Sequence, residues 1–368
     1  MANKNITTAE LDFDQIKTNI KTFLKAQDTF KDYDFEGAGL SVLMDILAYN
    51  THYNALYTNL AVNESFLDSA SKRSSVVSRA KEIGYVPHTA IAAKAIVNIV
   101  VSSTSTTPAT LILPAYSSFS AAIDGKTYTF YNLESIETTL GADNKYTFTN
   151  VAIREGVPLT YKYTVATDTR YIIPNIDVDT STLTVRVQDN STSSVYNSYI
   201  NKEDILILDG TSQVYFLKEI EGQLYELEFG NGTIGKALSN GNVVNLSYMT
   251  TSKAAANGAR LFTYTGSTLL GGVVSVTTTT PAYGGSDIES INSIRYNAPR
   301  AYSAQNRAVT SKDYEAIIKN IYPNAKYINA FGGELLSPPV YGKVIIAIKT
   351  NTGTKLNNLS KKEIISKL

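Results

Sequence analysis

The spacing of apolar residues changes once along this chain, near residue 90, and this change constrains the fold more than any other feature. Before that point, apolar residues recur every three or four positions, as they do on one face of an α-helix. From about residue 95, short runs rich in Thr, Val, Ile and Tyr alternate with turn residues, which is typical of antiparallel β-strands. The pattern predicts an α+β protein with an N-terminal helical segment and a central, mostly antiparallel β region.

Three helices are predicted in the first part of the chain, over residues 11–27, 40–62 and 69–83. The second helix carries two apolar stripes, which is more apolar surface than one neighbour covers. The candidate subunit-interface residues on these stripes are Leu40, Leu43, Ile46, Leu47, Tyr53, Leu56 and Leu60. We expect one stripe to pack on the chain's own helices and the other to need a partner, so that the isolated chain self-associates.

Helical patterns return after the β region. The sequences "SDIE" and "TSKD" each match a capping box, Ser286 with Glu289 and Thr310 with Asp313. A strand at "PPVYGKVIIAIKT" and the start of a helix at "LSKKEIISKL" follow. Because one strand and one helix cannot bury their apolar faces alone, we expect the sequence to be a fragment of a longer protein.

The predicted organisation has four parts. Residues 1–90 form N-terminal helices for assembly, and residues 91–284 form one or more β-rich domains with a hairpin at "FGNG". Residues 285–335 form a helical linker. Residues 336–368 are the start of a small C-terminal α/β domain.

Composition excludes several functions. The chain has 33 basic and 33 acidic residues and no basic cluster, which argues against a nucleic-acid partner. No apolar run is long enough to cross a membrane. There is no cysteine and there are only two histidines, so thiol chemistry is excluded and neither a metal site nor a cofactor is expected. The 25 tyrosines slightly favour subunit interfaces.

The glycine-rich run "FGNGTIGKALSNGNVVNLSY" resembles a phosphate-binding loop, but Ala237 stands where such a loop needs a hydroxyl. Asn-Gly pairs are instead typical of tight hairpin turns, which need a positive φ. We therefore interpret Phe229, Gly230, Asn231 and Gly232 as a structural turn without a ligand.

The sequence "IDVDT", residues 176–180, fits the aspartyl-phosphate pattern of a nucleophile and a general acid. That chemistry requires a buried parallel strand, whereas Pro174 and the surrounding strands predict an antiparallel setting. A surface turn is the preferred interpretation.

Arg307 precedes the helix that Thr310 and Asp313 begin. An arginine at a tight loop commonly bonds carbonyl groups or a carboxylate in a bidentate way. We predict that Arg307, Thr310 and Asp313 form a domain junction.

Several segments together resemble one family. The FGNG run, then "ANGA", then "GGSDIESINSIRYNAPRAYSAQNRAVTSKDYEAII" resemble the baseplate J-like family in order and wording. The N-terminal run "GLSVLMDILAYNTHYNALYTNLAVNESFLDSASKRSSVVSRAKEIGYVPH" is similar to the baseplate wedge proteins of T-even-type contractile-tailed phages. The resemblance covers almost the whole chain.

The resemblance implies a structural, non-catalytic component of the virion tail baseplate, made in the host cytoplasm and supporting contractile-tail genome ejection. It implies that two copies join another wedge protein through an N-terminal helical bundle, and that the other domains link wedges into a ring around the tail tube. Sheath-initiator and tube-hub proteins are further partners that it implies.

Two alternatives remain open. A receptor-binding tail protein is favoured by the Thr- and Tyr-rich β region. An aspartyl-phosphate-type phosphatase would show magnesium-dependent activity.

Overall fold

The computed structural model describes residues 6–7, 9, 11–27, 39–102, 108–201, 208–305, 307–350, 356 and 358–368. Six α-helices lie in these ranges: α1 Phe13–Lys25, α2 Gly39–Glu64, α3 Arg73–Glu82, α4 Ile291–Ala304, α5 Ser311–Ile321 and α6 Asn358–Lys367. None of these described helices has the length and apolar character needed to cross a lipid bilayer. The helices and the large β region confirm the predicted α+β class.

Most of the β-strands lie between α3 and α4. The first nine are β1 Lys94–Ser102, β2 Thr110–Leu113, β3 Ser118–Ile123, β4 Lys126–Tyr131, β5 Ile136–Thr139, β6 Lys145–Glu155, β7 Val157–Thr164, β8 Tyr171–Ile173 and β9 Val178–Gln188. The others are β10 Asn197–Asn201, β11 Val214–Glu219, β12 Tyr225–Phe229, β13 Val243–Thr250, β14 Thr263–Tyr264, β15 Val273–Tyr283, β16 Ala325–Gly332 and β17 Val344–Thr350. The run "DILILDG", residues 204–210, also has a sequence that predicts a strand, and it falls largely on residues 202–207, outside the described part.

The chain divides into two compact units, Met1–Val86 with Ser290–Tyr302, and Pro87–Glu289 with Ser303–Leu368. In the first unit α1 packs on α2, while α3 and α4 share a small core. Val76 and Ala80 of α3 are buried in that core with Ile294 of α4. The Arg295 guanidinium also donates to the Leu67 and Ala70 carbonyl groups before α3. The four-part domain division stays a prediction.

The second unit contains two large sheets. One has six strands in the order β14–β3–β4–β6–β1–β15. The segment over 258–265 hydrogen-bonds to β15 through Ala259 and to the start of β3 through Thr265, so it joins the two sheet edges. Aromatic residues fill the core, with Phe119, Phe130, Tyr146 and Phe148 at most 1% exposed.

The other large sheet has seven strands in the order β7–β13–β9–β10–β11–β12–β8. Its pairs are antiparallel except for β10 with β11. Its core is rich in tyrosine, including Tyr171, Tyr199, Tyr215, Tyr225 and Tyr248. Burial raises the pKa of the Tyr215 phenol to about 12. All seven strands come from residues 157–250, whereas the six-stranded sheet uses residues on both sides of that range.

The chain ends in a small α/β arrangement. Strands β16 and β17 pair as an antiparallel hairpin. Ile318 and Tyr322 from the α5 region pack with Ala325 and with Ile364 of α6.

Three expectations are corrected. The FGNG segment is not a hairpin turn, because β12 and β13 are not neighbours in the sheet. Ser286 does not cap a helix, since its backbone pairs with Ile91, and α4 begins only at Ile291. Asp179 of "IDVDT" does not lie in a surface turn. It is fully buried in β9, where its carboxylate accepts hydrogen bonds.

Candidate assembly interface

The buried side of α2 is built from small residues. Its buried residues are Met44, Ala48, Ala55 and Asn59, which recur at helical spacing and so lie on one face. The two alanines permit a close approach of other chain segments to this face. The helix has 26 residues and is about 39 Å long.

Polar groups of α2 hold the N-terminal segment against this side. The Asn59 side-chain amide exchanges hydrogen bonds with the backbone of Ala9, at 3.1 and 3.2 Å. Asn63 exchanges the same pair of bonds with Ile6, at 2.8 and 2.9 Å. These contacts could not be predicted from the sequence, because an asparagine on a helix gives no sign of a partner about fifty residues away.

The opposite side of α2 exposes large apolar residues. Their exposed fractions are Val42 54%, Ile46 59%, Tyr49 58%, Tyr53 37%, Leu56 42% and Leu60 43%. The successive spacings alternate between four and three residues, which is the heptad pattern of a seam between two helices. We call these six residues the α2 seam.

The α2 seam lies on a helix with few charges. Among the 26 residues of α2, only Asp45, His52 and Glu64 are of an acidic or basic type. Asp45 pairs with Lys17 of α1, and Glu64 is the last residue of the helix. A helix with a solvated outer face normally carries charged residues there. The seam therefore has the composition of a buried surface while being exposed in the isolated chain.

Tyrosine side chains contact one another at the middle of the seam. The Tyr49 and Tyr53 hydroxyl groups are hydrogen-bonded at 3.1 Å, and their rings are 4.6 Å apart. The Tyr57 ring lies 6.3 Å from that of Tyr53. The hydrogen bond with Tyr49 raises the pKa of the Tyr53 phenol. These rings form a continuous amphipathic surface, which suits protein contact.

Neither of the two predicted stripes is the buried face of α2, which consists of Met44, Ala48, Ala55 and Asn59. In the stripe of Leu40, Leu43 and Leu47, the last two are about half exposed and Leu40 is partly buried. Ile46, Tyr53, Leu56 and Leu60 belong to the seam. Tyr49 lies on the same predicted stripe, and Val42, which the alternating spacing in the sequence could have identified, completes the seam.

The FGNG segment is a fixed loop between β12 and β13. Gly232 has a φ of +87°, which confirms the positive φ predicted there. The Asn231 side chain accepts from the backbone N–H groups of Thr233 and Ile234, both at 3.0 Å. A side chain at Gly230 would overlap with Gly235. Close packing therefore requires glycine at position 230, and backbone conformation favours it at position 232.

Neighbouring groups already bond the N–H groups of this loop. The Gly232 N–H donates to the Gly235 carbonyl at 3.0 Å, and the Gly235 N–H donates to the Asp209 carbonyl at 2.9 Å. Hydrogen bonds from Ser212 and Thr211 lower the pKa of Asp209 to about 2. Phe229 anchors the start of the loop, with its ring 5.1 Å from that of Tyr171. This geometry supports the structural interpretation over a phosphate-binding one.

The Thr310 and Asp313 capping box is formed. The Asp313 N–H donates to the Thr310 hydroxyl at 3.3 Å, and the Thr310 N–H donates to the Asp313 carboxylate at 2.7 Å. The bonds from the Thr310 and Val309 backbone lower the pKa of Asp313. Arg307 is exposed and donates to the Gln305 side chain at 2.7 Å. That contact is local, so the role of Arg307 at a domain junction stays a prediction.

Among the described residues, no group of three or more His, Asp or Glu side chains could hold a metal ion.

The two segments singled out for assembly, α2 and the α5 capping box, also match known families. The helical domain of gp6-like baseplate wedge proteins matches residues 12–85. C-terminal domain I of baseplate structural protein gp6 matches residues 310–368.

A curated relative extends the match between these two domains. Baseplate wedge protein gp6 of Enterobacteria phage T4 is 28% identical over 380 residues, which cover 96% of this chain and 56% of the relative. The chain therefore spans little more than half the length of that protein. A cryo-EM structure of the anti-feeding prophage baseplate covers 85% of this chain and 57% of its own, at 14% identity and a TM-score of 0.27. A TM-score of that size does not establish a shared fold.

Both matched domains are described as parts of baseplate proteins, one of a baseplate wedge protein and one of a baseplate structural protein. Two segments of this chain are thus similar to domains of gp6-like baseplate wedge proteins, and the curated relative is similar over most of the chain, which confirms the family resemblance seen in the sequence.

Proposed function

We propose that this chain is a structural component of a baseplate wedge in a phage tail, and that the α2 seam is the surface through which it assembles. The observation that carries the proposal is the exposure of the α2 seam, which consists of Val42, Ile46, Tyr49, Tyr53, Leu56 and Leu60. The seam lies inside the segment that matches the helical domain of the wedge family. Localisation in the virion tail follows from the same similarity.

The physical reason for assembly is the cost of leaving the seam in water. Burying one leucine side chain contributes roughly 1.5–3 kcal/mol. The seam places six large residues on one line, four of them aliphatic and two of them tyrosines in contact with each other, and this exceeds what a stable monomer normally exposes. A partner helix with the same spacing would cover them.

We propose that the partners are a second copy of this chain and at least one other wedge protein. A heptad seam accepts an identical helix, because each side chain then inserts between equivalent residues of its partner. The T4 relative is named as a wedge protein, which supports contact with other baseplate proteins. We propose a role without catalysis.

The test is co-purification of the full chain with the other wedge proteins of its phage. Leu56→Asp would place an unpaired charge in the seam and should abolish the complex. Thr58→Asp is the matched control, because it adds the same charge two residues away at an exposed position outside the seam. Complexes with Leu56→Asp that match the wild type in yield would contradict the proposal, as would an equal loss with Thr58→Asp.

A further inference from the structure

The seven-stranded sheet is an insertion within the six-stranded one. The chain leaves the six-stranded sheet at the end of β6, builds all seven strands from residues 157–250, and then returns to form β14 and β15. We call residues 157–250 the inserted module and the six-stranded sheet the host sheet. Among the described residues, the hydrophobic clusters of the two share no member.

The two crossings between host sheet and inserted module lie side by side. Val157 and Thr250 are directly paired in register between β7 and β13. Gly156 has a φ of +134°, and a side chain there would overlap with the Thr250 carbonyl group. Because both crossings lie on adjacent strands, the connection is narrow. It limits how far the inserted module can move away from the host sheet more than it limits rotation of the module.

Polar contacts, rather than a shared apolar core, join the two parts next to these crossings. Asp179 of the inserted module is fully buried. Its carboxylate accepts from the Ala92 N–H of the segment leading into β1, at 2.9 Å, and lies 3.4 Å from the Arg154 guanidinium of β6. It also accepts from the Ser181 N–H at 2.9 Å. We call these four residues the junction cluster.

Three further hydrogen bonds lie beside the junction cluster. The Thr89 and Thr180 hydroxyl groups are 3.0 Å apart. Glu155, at the end of β6 and 3% exposed, accepts from the Thr251 hydroxyl at 2.7 Å and the Ser252 N–H at 2.9 Å. These bonds hold the return crossing, while Asp179 connects the body of the inserted module to the host sheet.

We infer that Asp179 fixes the orientation of the inserted module on the host sheet, and that loss of its hydrogen bonds frees the module to rotate about the crossings with both cores intact. A buried carboxylate that accepts several N–H bonds is rigid, because a rotated position would leave the charge buried and unpaired. The separate cores mean that such a rotation exposes little apolar surface. This inference does not depend on the proposed assembly function.

Asp179→Asn is the decisive variant. The substitution keeps the shape but turns one acceptor oxygen into an NH₂ donor, which faces donors at Ala92, Ser181 or Arg154. Asp177→Asn is the matched control, because Asp177 is partly exposed and its carboxylate pairs with Lys253 at 2.8 Å.

The orientation can be measured directly because the chain has no cysteine. One nitroxide label is placed at Glu137→Cys in β5, a strand whose Ile136 packs against the core of the host sheet, and the other at Lys162→Cys in the inserted module. Both positions are exposed, and the pair reports one distance by electron paramagnetic resonance. We expect a narrow distance distribution in the wild type and in Asp177→Asn, and one at least twice as broad in Asp179→Asn. An unchanged distribution in Asp179→Asn would overturn the inference.

Hydrogen exchange separates rotation from unfolding. In Asp179→Asn, the Ala92 and Ser181 amides should exchange at least tenfold faster, while amides in β1 and β13 keep their protection. Loss of protection in both sheets would mean that they unfold as one unit, which would also overturn the inference.

A disulfide provides a rescue test in the chain without nitroxide labels. Thr89→Cys together with Thr180→Cys should form a disulfide and restore slow exchange at Ala92 in the Asp179→Asn background. Failure to restore it would count against the inference.

Discussion

Helix α2 and the six-stranded sheet distribute their apolar residues in opposite ways. In the sheet the largest side chains are inside, and Phe119, Phe130 and Phe148 are at most 1% exposed. In α2 the inner face contains alanines, while the large residues of the seam are 37–59% exposed. The sheet buries its large apolar side chains within the chain. The helix leaves its large apolar residues exposed, which is the difference on which our proposal of an assembly surface rests.

The largest expected effect of a single substitution falls in the sheet. Phe148→Ala should lower the free energy of unfolding of the β region by about 3–5 kcal/mol, because it leaves a cavity in a packed core. Leu56→Ala, measured in chain diluted to the monomer, should stay within about 0.5 kcal/mol. Urea unfolding followed by circular dichroism measures both. A comparable cost for Leu56→Ala would break the contrast between the two regions.

A smaller effect is expected in the FGNG loop. Gly232→Val should cost about 1–3 kcal/mol, because a β-branched residue is strained at a φ of +87°. The nearest atom to a new Cβ there is that of Ala237 at 3.8 Å, so backbone strain rather than a clash is the cause. Thr233→Val, in the same loop without a positive φ, is the control. Equal thermal stability of the Gly232 variant and the wild type would refute the structural interpretation of this turn.

The cap of α5 should contribute less again. Thr310→Ala removes the hydroxyl that accepts from the Asp313 N–H and should cost about 1 kcal/mol locally. Hydrogen exchange of the Asp313 and Tyr314 amides measures this cost. Ser311→Ala, which leaves the cap in place, should change these rates little. The prediction fails if the two variants exchange alike.

The smallest effect concerns the helical unit and depends on pH. The Glu64 carboxylate at the end of α2 accepts from Ser71 and Lys72 at the start of α3. Burial acts to raise the pKa of Glu64, but hydrogen bonds from Ser71, Ser75 and Lys72 outweigh it and lower the pKa to about 2.

Because this pKa is below its ordinary value of 4.5, the stabilisation is complete above that pH and is lost as the pH falls towards 2. Amide exchange in α3, corrected for the intrinsic rate, should therefore show a loss of protection between pH 4.5 and 2 in the wild type. Glu64→Gln should already lack that part of the protection at pH 6. A wild-type profile that is flat across this range would contradict the assignment.

The sequence predicted the elements better than their arrangement. The helices at 11–27, 40–62 and 69–83 are found at Phe13–Lys25, Gly39–Glu64 and Arg73–Glu82, because local periodicity determines them. The third helix ends before Gly84, whose positive φ is typical of a glycine that follows a helix. The pairing of strands depends on contacts distant in sequence, which explains why the FGNG hairpin was wrong.

Buried polar residues were the hardest to predict. Asp179 and Glu289 lie in sequences that match common surface motifs, an Asp-rich turn and a capping box, yet both are at most 2% exposed. Their burial results from segments far away, such as the Ala92 N–H that bonds Asp179. The α2 seam was partly found, because its spacing is local. The buried face of α2 was not predicted, because its alanines give too weak an apolar signal.

The most direct test of the account is the mass of the isolated chain in solution, measured by multi-angle light scattering at micromolar concentration. The wild type and Thr58→Asp should be heavier than the 40.1 kDa monomer. Leu56→Asp should have the monomer mass and an unchanged circular dichroism spectrum. A wild-type chain that is strictly monomeric, or a Leu56→Asp variant that associates as the wild type does, would contradict the assignment of the α2 seam as a subunit interface.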